Sequence, residues 1–217
     1  MTYQDIIDNA NIINDEFRTP FNDNDRSAVL LYMSIVEFIS QAYKQGEKNE
    51  RRRQDLIDLV KPIAPAGGTK IINLSNIDNF MYTFELTGTF TDSCDSTKTF
   101  TRPIKPLKLD KHQRAMIDTF EKPDDLHPRY IEYNDTFNTL EVLSDTTPVS
   151  YKMFYIKQPK QPNPVTLSID SPEFGSKRTV CIEVSQILSR KFLMETDDPR
   201  YTEEQNEINL NRLEPVT

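Results

Sequence analysis

Tryptophan is absent, and glycine is scarce at 5 of 217 residues, with only 2 cysteines and 2 histidines. Each shortage excludes something. So little glycine leaves no GxGxxG and no Walker loop. The one adjacent pair, Gly67-Gly68, is too short to cradle a phosphate and predicts a turn instead. Two cysteines, Cys94 and Cys181, cannot staple a disulfide scaffold and do not suggest a secreted protein. Neither has a base beside it in sequence to make it a nucleophile, and Cys181 reads as a small core residue on a helix face. GxSxG and HExxH are also missing, so no catalytic residue and no cofactor is expected. No run approaches the ~20 apolar residues of a membrane-spanning helix. The N-terminus lacks a basic start followed by an apolar stretch, which argues against a secretory signal and for an intracellular protein.

His127 lies in Asp124-Asp125-Leu126-His127-Pro128, where two carboxylates and an imidazole could hold a metal loosely. Without a third or fourth ligand at a defined spacing, the segment reads better as a turn entering a strand, with the residue before proline held extended. His112 falls on a polar helix face and receives no role.

Charge is plentiful and unbalanced. There are 34 Asp+Glu against 26 Lys+Arg, a net charge of -8. That balance argues against wrapping nucleic acid, but not against enclosing it without gripping it. Arg51-Arg52-Arg53 is the one dense basic run. It is either a solvated helix face paired with Glu47 and Glu50, or a contact with phosphate or with an acidic partner surface. Glu203 and Glu204, with Glu195, Asp197, Asp198 and Glu207, form an acidic C-terminal stretch. It has no EF-hand pattern, so it reads as a solvated or partner-binding tail.

Periodicity predicts an α+β chain of one structural domain: N-terminal helices, a central, mainly antiparallel sheet and a closing C-terminal helix, with an extended arm and tail. The helical part covers 1–66, with helices over 2–16 (Thr2 as N-cap), 25–45 and 48–61. The β part covers 67–175, with strands over 70–74, 80–90, 129–133, 138–143, 149–157 and 165–169. A turn is expected at Asn134-Asp135 and an interposed helix at 110–120. The closing helix covers 176–195, and a polar helical tail covers 201–213. Val36, Ile39, Phe84, Phe154, Ile156, Val184 and Leu188 are expected in the core. Residues 91–107 are polar and then proline-rich, and read as an arm contacting another chain through Lys98, Phe100, Arg102, Pro103 and Ile104. Removing it is expected to leave a folded monomer that assembles less well.

Four segments, in order, carry a resemblance: the N-terminal helix pair leading into ERRRQDLIDLVKP; LHPRYIEYNDTFNTLEVLSD; the aromatic strand SYKMFYIKQP; and EVSQILSRKFLMETDDPRY with its acidic tail. Together they span residues 1–212, nearly the whole chain. In this order and spacing they resemble neck, or head-to-tail connector, ring proteins of crAss-like tailed bacteriophages. The resemblance implies a non-enzymatic virion subunit that forms a closed ring of its own copies, a dodecamer, between the portal protein and neighbouring neck or tail rings. DNA would pass through without specific binding, and no membrane would be involved. Arg51, Arg52 and Arg53 would then meet carboxylates of neighbouring copies or of the portal. Other virion assembly or tail completion proteins, or a non-structural acidic phage protein, are the alternatives.

Overall fold

The computed structural model describes residues 1–14, 24–46, 49–92, 95, 97–118, 121–133, 138–173 and 177–195. The fold is α+β, as the periodicity predicts. Its internal contacts divide it into two compact units, 1–58 with 159–217, and 59–158. The β unit thus begins earlier and ends earlier than the 67–175 read from the sequence.

The first unit is helical: α1 (Tyr3–Asn14), α2 (Asn24–Gly46), the short α3 (Glu50–Asp55), and the C-terminal helix numbered α5 below (Arg178–Glu195). Thr2 caps α1 reciprocally: its hydroxyl accepts from Asp5 N at 3.3 Å, and its own N–H donates to Asp5 Oδ2 at 2.6 Å. The apolar stripes of these helices bury Ile6, Ile7 and Ala10 on α1, Leu31, Ile35, Phe38 and Ile39 on α2, and Val184 and Leu188 on α5. Polar stitches fix the rotation of the helices. Ser185 Oγ donates to Ile6 O at 3.1 Å, and Lys191 Nζ reaches Glu37 Oε2 at 2.7 Å.

The second unit holds two four-stranded sheets. The strands are β1 (Val60–Ile63), β2 (Ile71–Asn73), β3 (Phe80–Thr91), β4 (Thr99–Pro103), β5 (Lys105–Pro106), β6 (Arg129–Tyr133), β7 (Thr139–Leu143) and β8 (Ser150–Lys157). Helix α4 (Leu109–Ile117) lies between β5 and β6 in the chain. One sheet runs β1-β8-β3-β4 and the other β2-β7-β6-β5, and every pairing is antiparallel except β5 with β6. Leu86, Phe90, Tyr151, Met153 and Tyr155 from the first sheet and Ile72, Tyr130, Leu140 and Val142 from the second share one core. The alternation of β8 is read directly: Tyr151, Met153 and Tyr155 point inward, while Lys152 and Phe154 share the opposite face.

Several expectations need correcting. The helix over 48–61 stops at Asp55, a 3-10 turn covers Ile57–Leu59, and Val60–Ile63 instead pairs with β8: the residue before Pro62 is biased toward extended backbone, and Pro62 is tolerated on the edge strand β1. No strand forms at 165–169. The segment lies in the helical unit as a turn, with only Leu167 buried and Val165 and Ile169 exposed. Ile39, Ile156, Val184 and Leu188 are buried, but Val36, Phe84 and Phe154 are only half-buried. For Phe84 the cause is a bulge: Thr83 pairs with Tyr155 and Glu85 with Phe154, so Phe84 is the extra residue and the alternation of β3 changes phase there.

The arm at 91–107 is the largest correction. Residues 99–103 pair with β3, residues 105–106 pair with β6, and Ile104 sits in the core at 3% exposure. Pro103 and Pro106 mark edge strands of the unit, where a missing N–H costs no ladder bond. The turn at Asn134-Asp135 and the tail at 201–213 lie outside the described residues.

One polar pair joins the sheets. Thr83 Oγ1, on β3, donates to Glu132 Oε2, on β6, at 3.3 Å. Burial pushes the Glu132 carboxyl above its ordinary 4.5, and the Thr83 bond only partly opposes this. A carboxyl whose folded value is raised leaves stability intact below the unfolded value and erodes it as pH climbs through the folded value. Glu132→Gln is therefore expected to be more stable than the wild type at pH 7, with the gap closing below pH 4.5. Thermal melts across pH check this. A variant less stable than the wild type at pH 7 would mean that the charged form is the favoured one.

Candidate interaction site

The chain crosses from one sheet to the other at Ile104. Its N–H donates to Leu86 O at 2.8 Å in the first sheet, while Lys105 N reaches Pro128 O at 3.2 Å and Leu107 N reaches Tyr130 O at 2.7 Å in the second. With Ile104 turned into the core, its neighbours are left outside: Arg102, Pro103 and Lys105 are all exposed. Arg102 is held by an aromatic stack. Its guanidinium carbon lies 5.7 Å from the Phe100 ring centre, and Phe100 stacks on the buried Phe90 at 5.8 Å. Lys98, in the turn before β4, forms an exposed ion pair with Asp95 at 3.1 Å.

Two loops wall the site. In one, Asp124 Oδ1 accepts from Leu126 N at 2.9 Å and His127 N at 2.5 Å, and His127 Nδ1 lies 3.3 Å away. This is the turn read from the sequence, with a carboxylate closing it locally. In the other, Thr146 donates its N–H and its hydroxyl to the two oxygens of Asp125, each at 2.8 Å. Lys70 Nζ then pins the second loop through Ser144 O at 2.5 Å.

Between β4, β5 and these loops lie two adjoining hollows that share Arg102 and Leu126. The larger, about 540 Å³, carries Asp92, Asp124, Asp125 and Asp145 with Phe100. The smaller, about 210 Å³, carries Arg102, Lys105, His127 and Arg129 between Pro103 and Pro128, and has no carboxylate in its lining. One face of the β unit thus presents an acidic lobe beside a basic one.

Of the residues singled out from the sequence, Phe100, Arg102 and Pro103 come together here. Ile104 does not, because it is core. Lys105, Asp124, His127 and Arg129 also line the hollows and were not singled out as interface residues from the sequence. Lys105 and Arg129 become neighbours only through the β5–β6 pairing, which no local pattern announces. The arginine run belongs to the helical unit and divides. Arg51 is exposed. Arg52 is taken up within that unit: its two terminal nitrogens reach Glu183 of α5 at 2.5 and 2.8 Å, and Nε reaches Gln45 of α2 at 3.0 Å. That fork clamps α3 to both neighbours. Arg53 is partly exposed beside it. Glu47, Cys94, Glu203 and Glu204 lie outside the described residues, and Cys181 is buried in α5, where burial pushes its thiol up.

Among the described residues, no group of three His, Cys, Asp or Glu side chains is placed to hold a metal ion, and no helix is long and apolar enough to cross a membrane. Compared with known families and with curated proteins, the chain matches no family model and no curated sequence.

Proposed function

We infer that the chain is a structural, non-enzymatic subunit that joins copies of itself in a closed ring at a phage neck, between the portal and the neighbouring neck or tail rings. The ordered resemblance of its four segments supports this, and so does one surface feature. Helix α4 buries only Ala115, while Leu109, Met116 and Ile117, at spacings i, i+7 and i+8, stay exposed, Ile117 at 84%. Covering side chains of this size yields about 1.5–3 kcal/mol each. A monomer forgoes that gain, and a neighbour recovers it. Heterologous contacts whose rotation closes generate a ring. The net charge of -8 suits a channel that lets DNA slide, since phosphate binding depends on neutralising cations.

The test is assembly. Leu109→Asp with Ile117→Asp is expected to move the protein from ring to monomer in sedimentation velocity, with an unchanged circular dichroism spectrum. A double variant that assembles like the wild type would remove α4 from the interface.

A further inference from the structure

We propose that the basic hollow of the β unit is an oxyanion site whose ligands are carboxylates of the acidic C-terminal segment, 196–207, of a second copy of the chain. The proposal rests on the ring reading for that second copy, and the test separates the two.

Arg102, Lys105 and Arg129 converge on the hollow, and among the described residues none of the three forms an ion pair. Arg102 has only the face of Phe100. On a chain with eight more acids than bases, three unneutralised cations in one small hollow are unusual, and their placement opposes folding. Lys105 and Arg129 are direct partners in the β5–β6 pairing, where like charges repel. Among the described residues no ion pair offsets this, and an oxyanion between the two would. Arg102 adds a planar fork of donors suited to a carboxylate. The apolar Pro103, Leu126 and Pro128 flank the three cations, and a hydrogen bond between a cation and a carboxylate is stronger than one between neutral groups.

The occupant follows from charge. Residues 196–207 hold Asp197, Asp198, Glu203, Glu204 and Glu207 against the single cation Arg200. The spacing offers paired carboxylates, Asp197-Asp198 and Glu203-Glu204, for a site with three cations.

The receptor for the test is the full-length chain with those five acids changed to Asn or Gln, which removes competition from its own tail. The probe is a fluorescently labelled peptide of wild-type sequence 196–207, read by anisotropy. The peptide is expected to bind, with affinity falling as salt rises. Adding Lys105→Glu, or separately Arg129→Gln, to the receptor is expected to weaken binding about tenfold or more. The tail-neutralised chain is expected to self-associate less than the wild type. No peptide binding, or equal binding by the Lys105→Glu receptor with an unchanged circular dichroism spectrum, would overturn the proposal. So would a hollow that takes inorganic phosphate but not the peptide. Peptide binding with self-association untouched by tail neutralisation would place the segment on its own chain and overturn the second-copy occupant. Association that needs the site charges but forms no closed ring would defeat the ring reading alone. A closed ring that persists with those charges reversed would defeat this one alone.

Discussion

Deleting residues 92–106 is expected to unfold the β unit. The deletion removes β4 and β5, an edge strand from each sheet, and with them the ladders to β3 and β6. It also removes Ile104 from the shared core and the Phe100 ring that stacks on Phe90. Losing a buried Ile side chain alone costs about 2–5 kcal/mol. Uncovering one side of Phe90 and exposing two fresh strand edges adds to that, against a typical total stability of about 5–15 kcal/mol. The measurement is amide hydrogen exchange on the deletion variant, with protection expected to collapse across β3, β6 and β8. A variant that keeps native protection in those strands would return 92–106 to the role of a dispensable arm.

Gly67→Ala is expected to cost about 3 kcal/mol or more, at the upper end for forcing atoms into occupied space. A Cβ on Gly67 would lie 1.9 Å from Val149 O, 2.5 Å from its carbonyl carbon and 2.9 Å from Ser150 N. These are backbone atoms, and Val149 is fixed by its own N–H bond to Thr89 O at 2.8 Å. No rotamer change relieves the clash. The adjacent Gly68 has a different constraint. Its φ is +77° with open space around the missing Cβ, so Gly68→Ala meets only the left-handed backbone penalty, about 1–2 kcal/mol. Chemical denaturation of the two variants checks the order. A Gly67→Ala variant no worse than Gly68→Ala would mean that the 149–150 backbone gives way.

The contrast between these glycines shows where the sequence is legible. The pair itself marks a turn, and the turn is there. That Gly67 also lies against the backbone of Val149 and Ser150 depends on the start of β8 passing at that point, far along the chain. The same division runs through the fold. Apolar spacing locates α1, α2, α5 and the strands β3, β6, β7 and β8 to within a few residues, because each buries one stripe or one alternating face. It fails where a distant partner decides. Leu56–Ile63 has helical apolar spacing, but β8 recruits its second half as an edge strand. The bulge at Phe84 reverses which side of β3 faces inward, and no local residue pattern marks it. The proline-rich 99–107 stretch resembles an arm because edge strands and arms share a composition.

The candidate site is legible in the same partial way. Phe100, Arg102 and Pro103 stand out as an uncommitted basic and aromatic stretch. The cross-sheet step at Ile104 turns two of its neighbours outward and brings Lys105 beside Arg129, and that requires the fold. Arg52 shows the converse. A run that looks like a partner surface is partly a strut, since its middle residue is bound to Glu183 and Gln45 of the same unit.

The central claim is that this chain closes into a ring with its own copies. Native mass spectrometry of the purified full-length protein, with negative-stain images of the same sample, tests it most directly. The account predicts one dominant oligomer of fixed copy number and annular particles with an open centre. A compact monomer at all accessible concentrations, with no annuli, would contradict it.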